Sequence, residues 1–174
     1  MNNLFVFVEG HYDKMFVVNI LSNYFLEKKS TIIYPIPYSQ KNKKIINKEI
    51  QSKSNHDYLL LGDLDSNEHP CITHKKEDLM KLYTSLDSFK IIVVKEEIES
   101  WFLAGIDTSL NEFKNFNIPH KTDLISKEQF DSMLKEKLIT DKEEFLLKVC
   151  KTFNIELAMK RNDSFNYFIE KYFS

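Results

Sequence analysis

Leu4-Phe5-Val6-Phe7-Val8-Glu9-Gly10 and, later in the chain, Tyr58-Leu59-Leu60-Leu61-Gly62-Asp63-Leu64-Asp65 decide how this sequence folds. Each opens as a short apolar run and closes on a carboxylate beside a glycine. Runs of this length, unbroken by polar residues, read as strands buried on both faces, as in a parallel sheet. Working outward, Asp13 to Phe25 carries Phe16, Val17, Ile20, Leu21, Tyr24 and Phe25 at helical spacing. Thr31 to Ile36 reads as a second strand, ended by Pro35 or Pro37. Lys41 to Ile50 reads as a lysine-rich helix with Ile45, Ile46 and Ile50 on its apolar side. Glu77 to Leu86 repeats Leu79, Leu82 and Leu86 as a further helix, and Ile91 to Val94 is a fourth strand. Strands alternating with helices predict an α/β fold with a mostly parallel central sheet of about four strands and helices on both faces.

Past Gly105 the pattern changes. Lys127 to Lys137, Lys142 to Phe153 and Ser164 to Tyr172 read as helices, and no strand stands out. The expectation is a core over residues 1–105 and a helical C-terminal extension over 106–174 packed on it. No Pro/Gly/Ser-rich linker separates them, so one domain is expected.

Composition narrows the classes. The 174 residues are 43% hydrophobic and 13% aromatic, enough for one packed core. A net charge of −2 gives no global field that would draw the chain to nucleic acid, so such contact needs a local basic patch or a bound cation. No apolar run reaches the roughly 18 residues of a membrane span. Met1-Asn2-Asn3 leads directly into Leu4 without the basic segment of a signal peptide. Cys71 and Cys150 are too few for a disulfide framework, and the expected setting is a reducing cytoplasm without membrane contact. The three glycines are Gly10, Gly62 and Gly105. Gly10 and Gly62 stand where the backbone must turn or lie close to something, and Gly105 suits a helix C-cap.

Open parallel sheets bind ligands at the carboxyl ends of their strands. There the first strand delivers Glu9, the third Asp63 and Asp65, and the fourth leads into Glu97 and Glu99. Asp63 and Asp65 share a face if the strand continues through them. Two carboxylates about 5 Å apart repel by roughly 3 kcal/mol at an effective dielectric of about 20, so a cluster either takes up protons or recruits a hard cation. Mg²⁺ (or Mn²⁺) suits such a site, because it prefers oxygen ligands while keeping waters and substrate phosphates.

The same residues carry a resemblance. Val8-Glu9-Gly10-His11-Tyr12-Asp13 followed by Leu61-Gly62-Asp63-Leu64-Asp65-Ser66 resembles the Toprim domain of topoisomerases, primases, ribosomal-RNA maturases and OLD-family nucleases. Glu97-Ile98-Glu99-Ser100-Trp101-Phe102-Leu103-Ala104 is similar to the Glu-Ile-Glu-Ala-Trp-Leu-Leu-Ala signature of small standalone Toprim-like proteins. Arg161-Asn162-Asp163-Ser164-Phe165 resembles their closing Ser-Phe motif. Glu96 departs from the proline common in those relatives. The resemblance implies a Rossmann-like Toprim fold and a Mg²⁺-dependent nuclease, or nuclease subunit, acting on DNA or RNA. It implies Glu9 as general acid or base or as a metal ligand, Asp63 and Asp65 as the main Mg²⁺ ligands, and Glu97 with Glu99 for a further metal. It also implies an ABC-type ATPase partner and a role in phage defence. The alternative is a non-catalytic metal- or phosphate-binding subunit of a larger ATPase complex. Topoisomerase and primase activities lack the additional domains they require.

Plainer readings stand beside these. Asp63 and Asp65 also suit a turn after a strand, and Glu97 and Glu99 suit the first turn of a helix. Asp13 reads as an N-terminal helix cap. His69, Cys71 and His74 invite a zinc reading but lack a fourth ligand, and are taken as loop residues around Pro70. His11 is placed to touch a phosphate or to stand in solvent, and Cys150 belongs to an apolar helix face. Lys41, Lys43, Lys44, Lys75 and Lys76 are the candidates for nucleic-acid contact, with a solvated helix face as the commoner meaning of such runs.

Overall fold

A computed structural model describes residues 2–39, 41–53, 56–65 and 68–173. The chain divides into two compact units, Met1–Val94 and Lys95–Ser174. The boundary expected after Gly105 therefore lies at Val94. The physical reason is that helix Glu99–Ala104 packs with the helices that follow it.

The first unit is an α/β layer structure. Strands β1 (Asn2–Val8), β2 (Thr31–Pro37), β3 (Asp57–Asp63) and β4 (Ile91–Val94) form a sheet of order β2-β1-β3-β4. Every neighbouring pair is parallel. This is a Rossmann-like arrangement, as the alternating pattern predicts. Helix α1 (His11–Phe16), a π-helical turn (Val17–Leu21) and helix α2 (Ser22–Lys29) connect β1 to β2. Helix α3 (Lys43–Ser52) leads into β3, and helix α4 (Ile72–Leu82) lies between β3 and β4. β2 runs through Pro35 and ends at Pro37, one of the two expected stops; its position at the sheet edge, with β1 its one strand neighbour among the described residues, tolerates a residue that cannot donate to a ladder.

Alternation along the strands sets the core. Phe7, Leu60, Ile91 and Val93 pack with Ile46 and Ile50 of α3, Leu79 of α4, and Tyr38, Tyr58, Tyr83 and Leu86. Val6, Val8, Leu59, Leu61, Ile92 and Val94 alternate onto the opposite face and are equally buried. The α4 helix starts five residues earlier than its leucine spacing suggests and ends at Leu82, so Leu86 reaches the core from beyond the helix.

The second unit is helical. Its centre is α5 (Glu99–Ala104), in which every residue is buried, the signature of a helix enclosed on all sides. Around it stand α6 (Lys127–Glu136), α7 (Lys142–Thr152) and α8 (Ile155–Arg161), followed by α9 (Asp163–Phe173). α8 is an addition to the helices expected from the sequence. Its short turns are capped from without: Asn154 accepts a hydrogen bond from the Leu157 amide at 2.9 Å. Gly105 ends α5 with φ −87°, so it is not the left-handed cap a terminal glycine often provides. A Cβ there would lie 2.2 Å from the Phe153 ring, and that close approach is what requires glycine. Among the described residues no helix is long and apolar enough to cross a membrane.

Candidate functional site

The strand order places a topological switch beside β1, whose neighbours β2 and β3 lie on opposite sides. Glu9 leaves β1 two residues past Phe7, and Asp63 ends β3 three residues past Leu60, the partner of Phe7. Both therefore emerge at the carboxyl edge, on adjacent strands.

Tyr38, just after β2, ties this edge together. Its amide donates to the Val8 carbonyl at 3.0 Å. Its buried hydroxyl lies 3.1 Å from Glu9 Oε2 and 3.2 Å from the Leu61 carbonyl, sharing one hydrogen between the ends of β1 and β3. Burial, followed by the charges of Glu9 and Asp13, a hydrogen bond to Glu9 and the charge of Asp63, pushes the phenol well above its ordinary pKa. The charges of three carboxylates therefore bear on one hydroxyl, although among the described residues their oxygens are not all gathered within 4.8 Å of one another, as those of His69, His74 and Asp78 are. Tyr83 stacks edge-on against Tyr38 with ring centres 5.7 Å apart, and burial and then the charge of Glu9 raise its phenol too.

The two glycines serve different ends. Gly10 caps α1 in an extended conformation, and its amide donates to Asp13 Oδ2 at 3.0 Å. The buried Asp13 is thus both helix cap and member of the acidic group. Gly62, expected where the backbone turns or lies close to something, is a residue of β3 and meets the second condition rather than the first. A Cβ there would stand 3.2 Å from Leu79, so its bareness lets Leu79 of α4 pack close on the strand.

Asp65 does not continue the strand. It sits at φ 50°, in the left-handed region, so alternation from Asp63 does not decide where its side chain points. Its carboxylate lies 3.5 Å from the ammonium of Lys75, which α4 holds in a buried position. Lys75 therefore faces the acidic edge rather than bulk solvent. A cavity of about 460 Å³ joins Glu9, Tyr38, Lys75 and Tyr83 with His69 and Asp78.

The other lysines are dispersed. Lys41 pairs with Glu49 at 3.2 Å and Lys76 donates to the Ser88 carbonyl at 3.4 Å, while Lys43 and Lys44 are exposed on α3. His11 is exposed at the start of α1, its ring against Tyr12. Ser66, the last residue of the aspartate motif, lies outside the described residues.

Glu97 and Glu99 belong to the second unit. Glu97 is half-buried just ahead of α5. Glu99 is 3% exposed and bonded to Lys142 Nζ at 2.9 Å, with Asp131 on the same ammonium at 2.7 Å. Burial alone would lower the Lys142 pKa, but the hydrogen bonds it donates to Asp131 and Glu99, with the charges of both, outweigh it and hold the ammonium above its usual range. Glu96 precedes them at φ 56°, a conformation closed to proline, whose ring fixes φ near about −65°. The closing motif is a buried network. Ser164 Oγ accepts from Trp101 Nε1 at 2.8 Å, Asn162 donates to Ser100 and Thr122, and Asp123 accepts from the Asp163 and Ser164 amides. Arg161 donates to the Ala104 carbonyl at the end of α5 at 3.4 Å and to the Ile106 carbonyl beyond it at 2.7 Å.

Tyr38, and Lys75 as the partner of Asp65, escape a sequence reading. A tyrosine after an edge strand and a lysine within a basic helix carry no local signal of an acidic neighbour. Compared with known proteins, the chain matches no protein-family model, no curated protein and no solved structure.

Proposed function

We propose that the chain is a Toprim-like, Mg²⁺-dependent nuclease, or the nuclease subunit of an ATPase-linked phage-defence complex, cleaving phosphodiester bonds of DNA or RNA. The observation that supports this reading is the Glu9 carboxylate on the Tyr38 hydroxyl at the carboxyl edge of a parallel sheet, where the charges of Asp13 and Asp63 also bear on that phenol. The donors are hard oxygens on two adjacent strand ends and a helix cap, the set that Mg²⁺ or Mn²⁺ prefers. When bound, such an ion polarises the scissile phosphate and generates a nucleophilic water. Tyr38 orients Glu9 through its hydroxyl, leaving that carboxylate to hold the ion or to accept and return a proton. Lys75 offsets the charge of Asp65 and tempers repulsion within the pocket.

The Lys75–Asp65 pair also favours a second reading, a non-catalytic subunit holding a metal or phosphate within a larger complex. A lysine already beside one expected metal ligand reduces the charge available to an ion. Plasmid, single-stranded DNA and structured RNA incubated with Mg²⁺ or Mn²⁺ separate the two. Cleavage by the wild type, reduced at least about a hundredfold in Asp63→Ala and Glu9→Gln, is the expected result. Metal-dependent stabilisation without cleavage, alone and with an ATPase partner, identifies the binding subunit. Absence of both refutes the acidic pocket as a metal site.

A further inference from the structure

His69, His74 and Asp78 converge on one point of the first unit, and no step of the proposed nuclease reaction uses them. The chain brings them together by local means. The His69 amide donates to the Asp65 carbonyl at 3.0 Å, and its ring centre lies 5.6 Å from that of His74 on α4. Cys71 is extended and starts the helix, and His74 and Asp78 follow one turn apart on a single helix face. His69 Nδ1 lies 3.4 Å from His74 Nδ1 and 3.5 Å from Asp78 Oδ2, and His74 Nδ1 lies 3.3 Å from the same oxygen.

Those three separations are almost equal, and their size is informative. Ligands about 2.0–2.1 Å from a tetrahedral ion stand about 3.3–3.4 Å apart along each edge of the tetrahedron. The two imidazole nitrogens and the carboxylate oxygen already outline one face of that figure. The other oxygen of Asp78 accepts from Lys81 at 2.8 Å, which orients the carboxylate while leaving Oδ2 toward the two imidazoles.

We propose that His69, His74 and Asp78 bind a Zn²⁺-class transition-metal ion through Nδ1, Nδ1 and Oδ2, with a fourth position left for water or an anionic ligand oxygen. Two imidazoles and one carboxylate select such an ion over Mg²⁺, which demands oxygen donors. Three protein ligands are the complement of an open zinc site, and His69 and Asp78 line the same cavity as Glu9 and Lys75. Cys71, the sequence neighbour that suggests a ligand, is exposed outside the cluster and is not part of the site.

The full-length chain, stripped with a chelator and titrated with Co²⁺, tests this directly. With excess Mg²⁺ present to fill the acidic edge, expected are one equivalent of Co²⁺ bound, the intense visible bands of a tetrahedral nitrogen/oxygen site, and displacement by Zn²⁺ at micromolar concentration. His69→Ala, His74→Ala and Asp78→Asn each weaken binding at least about tenfold, whereas Cys71→Ser and Asp63→Ala leave the spectrum unchanged. Retention of the Asp63→Ala spectrum keeps the outcome separate from that of the nuclease reading. The wild-type spectrum and a Zn²⁺-dependent rise in Tm carry the test even where a variant folds poorly. Weak octahedral absorption, a thiolate charge-transfer band lost in Cys71→Ser, or no Zn²⁺ binding at micromolar concentration overturns the proposal.

Discussion

Tyr38 concentrates the chemistry of the acidic edge in one hydroxyl. Because burial and then the charges of Glu9 and Asp13 raise its pKa, the fold favours the neutral phenol. The sign follows from linkage: stability from this group is fully present below the unfolded tyrosine value near pH 10 and is lost as the pH rises above it. Tyr38→Phe removes the hydrogen shared by Glu9 and the buried Leu61 carbonyl. Urea unfolding at pH 7 should show a loss of about 1–2 kcal/mol in this variant. Between about pH 9.5 and pH 11 the wild type should lose stability more steeply than Tyr38→Phe. Parallel curves over that range would mean the hydroxyl is not held against the carboxylates. None of this is visible in the local sequence, where Pro37-Tyr38-Ser39 reads only as the end of an edge strand. Asp63 and Glu9 were legible there because a carboxylate following a buried strand is a local pattern.

At the level of elements, the Glu97–Ala104 segment shows how a motif can be structural and still concern acidic residues. Trp101 is fully buried, stacks on Phe168, and donates to Ser164, so the sequence-distant closing motif anchors α9 beside α5. The helical character of both segments follows from periodicity, but their partnership does not, since no spacing rule links residues so far apart. Glu99 illustrates the same limit. Its acidic position in the first turn suggests a dipole partner or a metal ligand, and its neighbour in the fold is the ammonium of Lys142. Lys142→Ala leaves that carboxylate buried without its cation and should cost about 3–5 kcal/mol by chemical denaturation. Adding Glu99→Gln should recover much of the loss. A single variant within about 1 kcal/mol of wild type would show that the pair does not hold α5 to α7.

For the molecule as a whole, charge limits the ways it could meet the nucleic acid of the proposed function. The parallel sheet and the carboxylates at its edge were readable from alternating periodicities and strand-end acids; the division at Val94 was not, because α5 belongs with its packing partners rather than its sequence neighbours. The fate of the lysines was equally hidden, since composition counts charges without saying which are already paired. Lys41 is tied to Glu49, Lys75 to Asp65, and Lys76 to a carbonyl, leaving Lys43 and Lys44 exposed among the candidates for nucleic-acid contact. Two phosphate contacts give a slope of log affinity against log salt of about −2, hence about a tenfold loss between about 50 and 200 mM salt. Fluorescence anisotropy with labelled duplex and single strands, Mg²⁺ held constant and Asp63→Asn blocking turnover, measures that slope. Replacing both Lys43 and Lys44 with glutamine should bring it close to zero. A slope steeper than about −4 would require a larger basic footprint than these lysines supply, and the grip on nucleic acid would then lie elsewhere on the protein or on its partner.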